Sequence, residues 1–342
     1  MTMNDSAMSP KIKEMAPKLL AEIKKAKSIL LHCHPSPDPD SVGSALAMKF
    51  ALEQMGKKAT VIKGDSEIPQ AFMHFPGAKD IVQKNFFEVD LKEFDLFIIL
   101  DSGSLGMISK IRTIEFPPTL KTITIDHHQT NSHYASINLV DPSYPADCLI
   151  LHDLFIDWGI KMTREIASNL FIGIYTDTGA FKYPGISNYL YEVIAEMVQF
   201  IPNVSELITK MEYSNTRGFI SFEAAALNNV EVFCEGHFAL SSVPLSVLKE
   251  KSILSSDVKT SEVSSFLLTV AEWDFVASAV ELEPNVIKFS FRSKNVDKFD
   301  VAKLVRIMDG GGHRAAAGLT LKMPLAEAKA LVVSKAKELY NL

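Results

Sequence analysis

Residues 29–44 read Ile29-Leu-Leu-His-Cys-His34-Pro-Ser-Pro-Asp38-Pro-Asp40-Ser-Val-Gly-Ser44. The apolar start predicts a buried strand, and helical periodicity begins after Asp40. The alternating prolines between them keep the preceding residues out of the α region, so the loop is extended. His34, Asp38 and Asp40 therefore present one imidazole and two carboxylates from one short loop. This donor set is typical of a divalent-metal site.

Short apolar strands alternate with helices through the first half of the chain. The predicted strands are 28–33, 59–63, 95–100 and 121–125. The predicted helices are 10–27, 41–56, 69–82, 145–158 and 164–176, and Pro17 is expected to kink or divide the first of them. This alternation favours an α/β fold, with a parallel sheet covered by helices.

A chain of 342 residues is long enough for two domains. After residue 184 the pattern is mostly helical, with predicted helices over 188–200, 203–212 and 217–232. Predicted strands follow at 238–242, 275–283, 286–292 and 319–322, with helices from about residue 300 and over 325–340. We therefore predict an N-terminal parallel-sheet domain over 1–190, a helical linker over 191–215 and a smaller mixed α/β domain over 216–342.

Composition and charge narrow the class of protein. Hydrophobic residues make up 47% and charged residues 22% of the chain, as in folded globular proteins. The net charge of −6 argues against a protein that grips long duplex nucleic acid through its phosphates. No apolar run is long enough to span a membrane, and the N-terminus has no signal-peptide pattern, so a cytoplasmic location is expected. Three cysteines without CxxC spacing predict neither disulfides nor a zinc knuckle.

Polar residues follow two other predicted strands directly. Asp101 ends the strand 95–100, and Asp126-His127-His128 ends the strand 121–125; Asp177 closes a helical stretch. The carboxyl ends of parallel strands meet at one edge of a sheet, so these residues are expected to join the loop at 34–40. Helix caps and turns are the alternative explanation, particularly for Asp101. Nitrogen and oxygen donors without a thiolate suit two divalent ions about 3.5–4 Å apart and favour Mn²⁺ over Mg²⁺ or Ca²⁺.

Taken together, His-x-x-x-Asp-x-Asp at 34–40, the strand-end Asp101, Asp126-His-His128 and Asp177-Thr-Gly179 resemble the DHH phosphoesterase family. That family includes family II inorganic pyrophosphatases, single-strand exonucleases and small oligoribonuclease/pAp phosphatases. Near the C-terminus, Arg292-Ser293 and Gly310-Gly-Gly-His313 are similar to the DHH-associated domain of the nucleotide-processing branch. The resemblance implies that 1–190 is the catalytic domain and 216–342 a substrate-binding domain.

The resemblance also implies a role for each matching residue. One ion would be held by His34, Asp38 and Asp101, and the other by Asp40, Asp101, His127 and Asp177, with Asp101 as the bridge. The catalytic residues would be His128, Asp101 and Asp126, with His128 facing the substrate phosphate and Asp126 hydrogen-bonding a metal ligand rather than binding metal itself. Substrate would be bound by Arg292, Ser293, Gly311, Gly312 and His313, where the glycines let backbone N–H groups approach an anion. We also expect Gly43 and Ser44 to face the substrate.

The implied function is hydrolysis of short oligoribonucleotides or dinucleotides such as pApA, and of 3′-phosphoadenosine 5′-phosphate (pAp), to mononucleotides. The implied partners are short RNA or nucleotides, with no long duplex nucleic acid and no membrane. The sequence does not decide between a monomer and a homodimer. Three alternatives remain: a cyclic di-AMP phosphodiesterase, an inorganic pyrophosphatase or polyphosphatase, and a catalytically silent nucleotide-binding module. Two stretches depart from the family pattern. Residues 102–107 read Ser-Gly-Ser-Leu-Gly-Met, without the basic residue that many relatives carry there, and residues 142–148 read Pro-Ser-Tyr-Pro-Ala-Asp-Cys, where relatives usually carry a small hydroxyl-rich run.

Overall fold

The computed structural model of the chain describes residues 8–183 and 186–342. The chain divides into two compact units, Met1–Ser214 and Asn215–Leu342. The first contains a five-stranded parallel sheet and the second a six-stranded mixed sheet, which confirms the predicted α/β fold class. Among the described residues, no helix has the length and apolarity needed to cross a membrane.

The first unit has its sheet in the order β2-β1-β3-β4-β5, and every neighbouring pair is parallel. The strands are β1 (Ser28–His32), β2 (Lys58–Ile62), β3 (Leu96–Leu100), β4 (Lys121–Asp126) and β5 (Ile137–Val140). The helices are α1 (Pro10–Lys25), α2 (Pro39–Gln54), α3 (Asp147–Asp157), α4 (Arg164–Asp177), α5 (Asn188–Met197) and α6 (Val204–Glu212).

The central strands are apolar throughout because both faces of the sheet are covered. On β1, Ile29 and Leu31 pack in the core formed with the helices, whereas Leu30 packs in a second core on the opposite face. Side chains alternate between the faces of a strand, so a strand buried on both sides needs a continuous apolar run.

Three features of the first unit differ from prediction. The edge strand β5 was not predicted. The stretch 69–82 forms two short 3₁₀ helices, Gln70–His74 and Ala78–Asp80, rather than one helical piece. Helix α1 is not divided at Pro17: the proline lies on the exposed side, and Ile12, Ala16, Leu19 and Ile23 hold the opposite face in the core.

The second unit has its sheet in the order β10-β11-β9-β8-β7-β6, and only β7 and β8 pair in parallel. The strands are β6 (Val230–Phe233), β7 (Phe238–Val243), β8 (Phe275–Glu283), β9 (Val286–Ser293), β10 (Gly311–His313) and β11 (Ala316–Lys322). The helices are α7 (Arg217–Leu227), α8 (Leu245–Glu250), α9 (Thr260–Leu267), α10 (Val301–Arg306) and α11 (Leu325–Tyr340). Helices α10 and α11 cover one face of this sheet, and α7 and α9 cover the other.

The predicted helix 217–232 ends earlier than expected, at Leu227, and the edge strand β6 follows it. Within the predicted linker 191–215, Val193 and Met197 of α5 are fully buried in the core of the first unit. The functional roles assigned to the three predicted regions stay predictions.

Helix α3 carries a buried polar network. The carboxylate of Asp153 is fully buried and accepts hydrogen bonds from Tyr144 Oη at 2.5 Å, from Tyr189 Oη and from His152 Nδ1 at 3.0 Å. The second ring nitrogen of His152 lies 3.9 Å from Glu196 of α5. Burial alone would lower the pKa of His152, but the hydrogen bond to Asp153 and the nearby carboxylate of Glu196 outweigh it, so that pKa is raised above 6.5.

We expect the stability of the first unit to fall as the pH rises past the folded-state pKa of His152. A histidine whose pKa is raised on folding contributes stability that is complete below its unfolded pKa, near 6.5, and is lost as the pH passes the folded value. Each unit of increase corresponds to about 1.4 kcal/mol. Urea unfolding between pH 6 and 9 checks this. His152→Gln is expected to flatten the dependence, and an equal slope in both proteins would contradict the assignment.

Candidate metal centre

The predicted site residues of the first unit lie where the strands of its sheet end. His34 lies two residues beyond β1, Asp101 directly follows β3, and Asp126 is the last residue of β4. Asp177 is the last residue of α4. The chain topology thus brings together side chains that are up to about 140 residues apart in sequence, at the edge where open parallel sheets bind ligands.

Asp38 both caps a helix and contacts a histidine. Its backbone is extended, and its Oδ1 accepts the N–H of Ser41 at 2.9 Å as the N-cap of α2. Its Oδ2 lies 3.4 Å from His34 Nε2. His34 is fixed in turn, because Ser41 Oγ accepts its backbone N–H at 3.0 Å.

Asp101 lies between two imidazoles. Its Oδ2 is 3.5 Å from His34 Nε2, and its Oδ1 is 3.5 Å from His127 Nε2. The residue is 2% exposed, and its φ of 48° places it in the left-handed region, which aspartate tolerates better than most residues. This backbone turn at the end of β3 directs one carboxylate toward both histidines.

Asp40 is fully buried and held by the start of α3. The backbone N–H groups of Asp147 and Cys148 donate to its two carboxylate oxygens at 2.7 and 3.1 Å. The N-terminal end of a helix favours an anion, so the start of α3 holds the carboxylate of Asp40 in place. A second acid lies close to His127, whose Nε2 is 3.2 Å from Asp177 Oδ2.

Two glycines allow the close packing of α2 and α4 that brings these residues together. A Cβ at Gly43 would lie 2.5 Å from the carbonyl oxygen of Asn169, and one at Gly173 would lie 2.6 Å from Asp40 Oδ1. The expectation that Gly43 and Ser44 face the substrate is therefore wrong. Ser44 is fully buried in α2, and Gly43 faces the backbone of α4.

The charges of the cluster shift the pKa values of its members. Burial would lower the pKa of His34, but the charges of Asp38 and Asp101 outweigh it and raise that pKa well above 6.5. The same balance, with Asp101 and Asp177 as partners, raises the pKa of His127. Burial and the charge of Asp101 raise the pKa of Asp40 to about 6. Without a cation, protons on the imidazoles therefore balance the carboxylates.

The donor atoms fit a divalent cation. Among the residues that the structure describes, three groups of side chains bring their nitrogen or oxygen donors within 4.8 Å of one another: His34, Asp38 and Asp101; Asp40, His127 and Asp177; and Asp101, His127 and His128. Imidazole and carboxylate donors without a thiolate are those that first-row divalent ions such as Mn²⁺ accept. A cation there would take the place of the imidazole protons, since only neutral imidazole ligates metal.

The carboxylate of Asp126 orients His128, the residue that the resemblance places at the substrate phosphate. Its Nδ1 lies 2.7 Å from Asp126 Oδ1, and the other oxygen of Asp126 accepts the side-chain N–H of Asn131 at 2.6 Å. A carboxylate can only accept, so Nδ1 of His128 donates. Asn131 was missed from the sequence, although its position five residues after Asp126 was the available signal.

His32 belongs to the support of this edge. Its Nε2 lies 3.3 Å from the carbonyl oxygen of Met107 and 3.4 Å from Ser102 Oγ. Burial, with a smaller contribution from His34, lowers the pKa of His32 to about 4. A neutral buried imidazole agrees with a supporting role rather than with a metal ligand.

The predicted substrate-binding residues of the second unit lie on neighbouring strands. Arg292 of β9 is in register with Ala316 of β11, which is in register with His313 of β10. Arg292 Nη1 donates to the carbonyl oxygen of Phe291 at 3.0 Å, and Ser293 is buried. The glycine run forms β10 rather than a loop. A Cβ at Gly312 would meet Ala316 and Ala317 of β11 at 2.5 Å, whereas Gly311 has open space.

Known proteins are similar to this chain in sequence. Residues 28–174 match the model of the DHH family, N-terminal domain. The bifunctional oligoribonuclease and PAP phosphatase NrnA of Thermus thermophilus is 27% identical over 326 residues, covering 94% of this chain and 92% of that protein. The protein of the same name from Bacillus subtilis is 24% identical over 315 residues, covering 90% and 93%.

A solved structure has the same fold. An exopolyphosphatase-related protein from Bacteroides fragilis superposes with a TM-score of 0.87 at 24% identity, covering 96% of this chain and 98% of that one. These findings confirm the resemblance drawn from the motifs at residues 34–40, 101, 126–128 and 177–179. This chain carries a DHH family domain over residues 28–174.

Proposed function

We propose that this chain is a phosphoesterase that uses two divalent ions, most favourably Mn²⁺, to hydrolyse short oligoribonucleotides such as pApA, and pAp, to mononucleotides. The observation that carries the proposal is the cluster in which Asp101 lies between His34 and His127. The DHH family domain and the names of the relatives from Thermus thermophilus and Bacillus subtilis support the reaction class.

The residues that would hold the ions follow from the groups of donor atoms. His34, Asp38 and Asp101 would hold one, and Asp40, His127 and Asp177 would hold the other, with Asp101 also facing the second. When bound, such ions polarise phosphoryl oxygens and lower the pKa of a coordinated water. Asp101 and the backbone of α3 keep the ligands at fixed positions before any substrate arrives.

His128 is the residue that we assign to proton transfer. Asp126 holds its Nδ1 in the donor form, and Asn131 fixes Asp126. This arrangement fixes the ring orientation, and we assign protonation of the leaving oxygen to the other ring nitrogen, Nε2. Burial would lower the pKa of His128, but Asp126 and Asp101 raise it, so the imidazole can carry the proton that this role requires.

Binding of the rest of the nucleotide is assigned to the second unit. Arg292 provides a guanidinium suited to a phosphate or a base edge. It pairs in register with Ala316, which pairs in register with His313. Ser293, Gly311 and Gly312 complete the proposed set. The net charge of −6 agrees with a short substrate whose phosphates are met locally. The cytoplasmic location stays a prediction.

Initial rates on pApA, pAp, cyclic di-AMP and pyrophosphate, each with Mn²⁺, test the proposal. We expect pApA and pAp to be hydrolysed with the highest kcat/KM. Preferred hydrolysis of cyclic di-AMP or pyrophosphate would replace the proposed substrate by one of the alternatives. Absence of hydrolysis for all four would favour a nucleotide-binding module.

Arg292→Ala is expected to raise the KM for pApA by about 10–100-fold, as for the loss of a charged hydrogen bond. Hydrolysis of bis-p-nitrophenyl phosphate, which carries no nucleotide, serves as the matched control and should change much less. Arg306, on α10 of the same unit, supplies a control variant, Arg306→Ala, that removes the same charge. Equal losses on both substrates in Arg292→Ala would contradict the binding role.

A further inference from the structure

Asp147 is a buried acid for which the proposed chemistry has so far given no role. It is the first residue of α3 and is fully buried. Within the described chain, neither of its carboxylate oxygens has a hydrogen-bond partner. Buried polar groups in proteins are almost always paired, because an unpaired one loses its hydration without compensation. An unpaired carboxyl group at full burial therefore calls for a partner.

The surroundings of Asp147 belong to the metal centre. Its backbone N–H donates to Asp40 Oδ2 at 2.7 Å. The negative charges that act most strongly on its side chain are those of Asp40, Asp101 and Asp126. Four carboxyl groups in one buried region repel one another, and a cation is the partner that would offset the repulsion.

A role in the stability of α3 does not account for the residue. An acid in the first turn of a helix is favourable when its oxygens accept the free N–H groups there, but those of Asp147 accept none. Asp153, on the same helix and equally buried, has three hydrogen-bond donors around its carboxylate. Asp153 is therefore a structural carboxylate, whereas Asp147 lacks a partner in the ion-free protein.

We infer that Asp147 is a positioning residue of the divalent-cation site: it holds Asp40 through its backbone, and its carboxyl group is compensated only when a cation is bound by Asp40, His127 and Asp177. The inference rests on the proposed function. Carboxylates behind the ligands of a metal commonly raise the affinity of the site. Removal of this carboxyl group should therefore raise the stability of the ion-free protein and lower its affinity for the cation.

Thermal unfolding of the full chain in increasing MnCl₂, after removal of metal by chelation and dialysis, tests this inference. In Asp147→Asn we expect the melting temperature of the ion-free protein to rise by about 2 °C or more, because the substitution removes one of four buried carboxyl groups that repel one another. The Mn²⁺ concentration that gives half of the maximal stabilisation should rise about 10-fold or more. Asp147→Ser, with a smaller side chain, should shift the Mn²⁺ dependence in the same direction.

Asp153→Asn is the matched control, since it removes a buried carboxylate from the same helix. It should lower the melting temperature of the ion-free protein, because Tyr144 and His152 lose a charged partner, and it should leave the Mn²⁺ dependence unchanged. Opposite changes in the melting temperature of the two ion-free variants would distinguish a buried acid without a partner from a buried acid that is hydrogen-bonded.

The outcomes distinguish the inference from the proposal beneath it. If wild type gains no stability from Mn²⁺, the proposed metal site is wrong and the inference is wrong with it. If wild type responds but both Asp147 variants show the wild-type Mn²⁺ dependence, the metal site stands and the role of Asp147 is wrong.

Discussion

Asp101→Asn is expected to lower kcat/KM for pApA with Mn²⁺ by at least about 10³-fold, which corresponds to about 4 kcal/mol of transition-state stabilisation. The carboxylate of Asp101 is the one group within 3.5 Å of both His34 Nε2 and His127 Nε2 among the described ion-pair contacts. An asparagine has nearly the same shape but no charge, so the substitution removes the shared negative ligand without emptying space. Steady-state rates at saturating Mn²⁺ measure the loss.

The matched control lies at the opposite end of the same strand. Asp95 directly precedes β3, and its Oδ2 accepts the backbone N–H groups of Lys27 and Ser28 at 2.8 and 3.0 Å. Asp95→Asn removes an equal charge from the far edge of the sheet and should keep the wild-type rate. Retention of the wild-type rate in Asp101→Asn, or an equal loss in Asp95→Asn, would contradict the assignment of Asp101.

Gly173→Ala is expected to destabilise the chain by about 1–3 kcal/mol and to lower kcat/KM by about 10²-fold. The added Cβ would lie 2.4 Å from Cys148 Sγ and 2.6 Å from Asp40 Oδ1, both too close for non-bonded atoms. Since α4 must then move away from Asp40, a proposed ligand is displaced together with the packing. Urea unfolding and steady-state kinetics give the two values.

Two further variants separate packing from positioning in this prediction. Gly106→Ala, whose Cβ would meet nothing nearer than Ser104 Oγ at 3.7 Å, controls for the glycine substitution itself. Adding Cys148→Ala to Gly173→Ala removes the sulfur contact and should recover part of the stability, but the contact with Asp40 remains and activity should stay low. Wild-type kcat/KM in Gly173→Ala would show that the position of Asp40 does not depend on this glycine.

Sequence reasoning found the strands of the first sheet that are buried on both faces. The run Leu96–Leu100 is apolar at every position because helices cover one side and a second core covers the other, and its length of five residues favours a strand over a helix. The strands that it missed, β5, β6 and β10, have three or four residues each and lie at sheet edges. Asn138 interrupts β5, β6 alternates with a glutamate directly after a helix, and β10 is mostly glycine, so none of them has a distinct strand pattern.

The site was predictable as far as strand ends and local spacing reach. The rule that ligands gather at the carboxyl edge placed Asp101 and His127 together without any contact information. Asn131 and Asp147 were missed for different reasons. Asn131 acts through a hydrogen bond to Asp126 that requires the loop conformation, and Asp147 contacts Asp40 across 107 residues of sequence. Contacts between elements of that separation depend on how α2, α3 and α4 pack, which no local pattern contains.

The most direct test of the central claim is the number of Mn²⁺ ions bound per chain, measured by equilibrium dialysis followed by metal analysis of the retained protein. The group His34, Asp38 and Asp101 and the group Asp40, His127 and Asp177 are linked by Asp101, whose Oδ1 lies 3.5 Å from His127 Nε2, and they predict two ions per wild-type chain and fewer in Asp101→Asn. One ion or none in wild type, or two ions in Asp101→Asn, would contradict a two-ion centre bridged by Asp101.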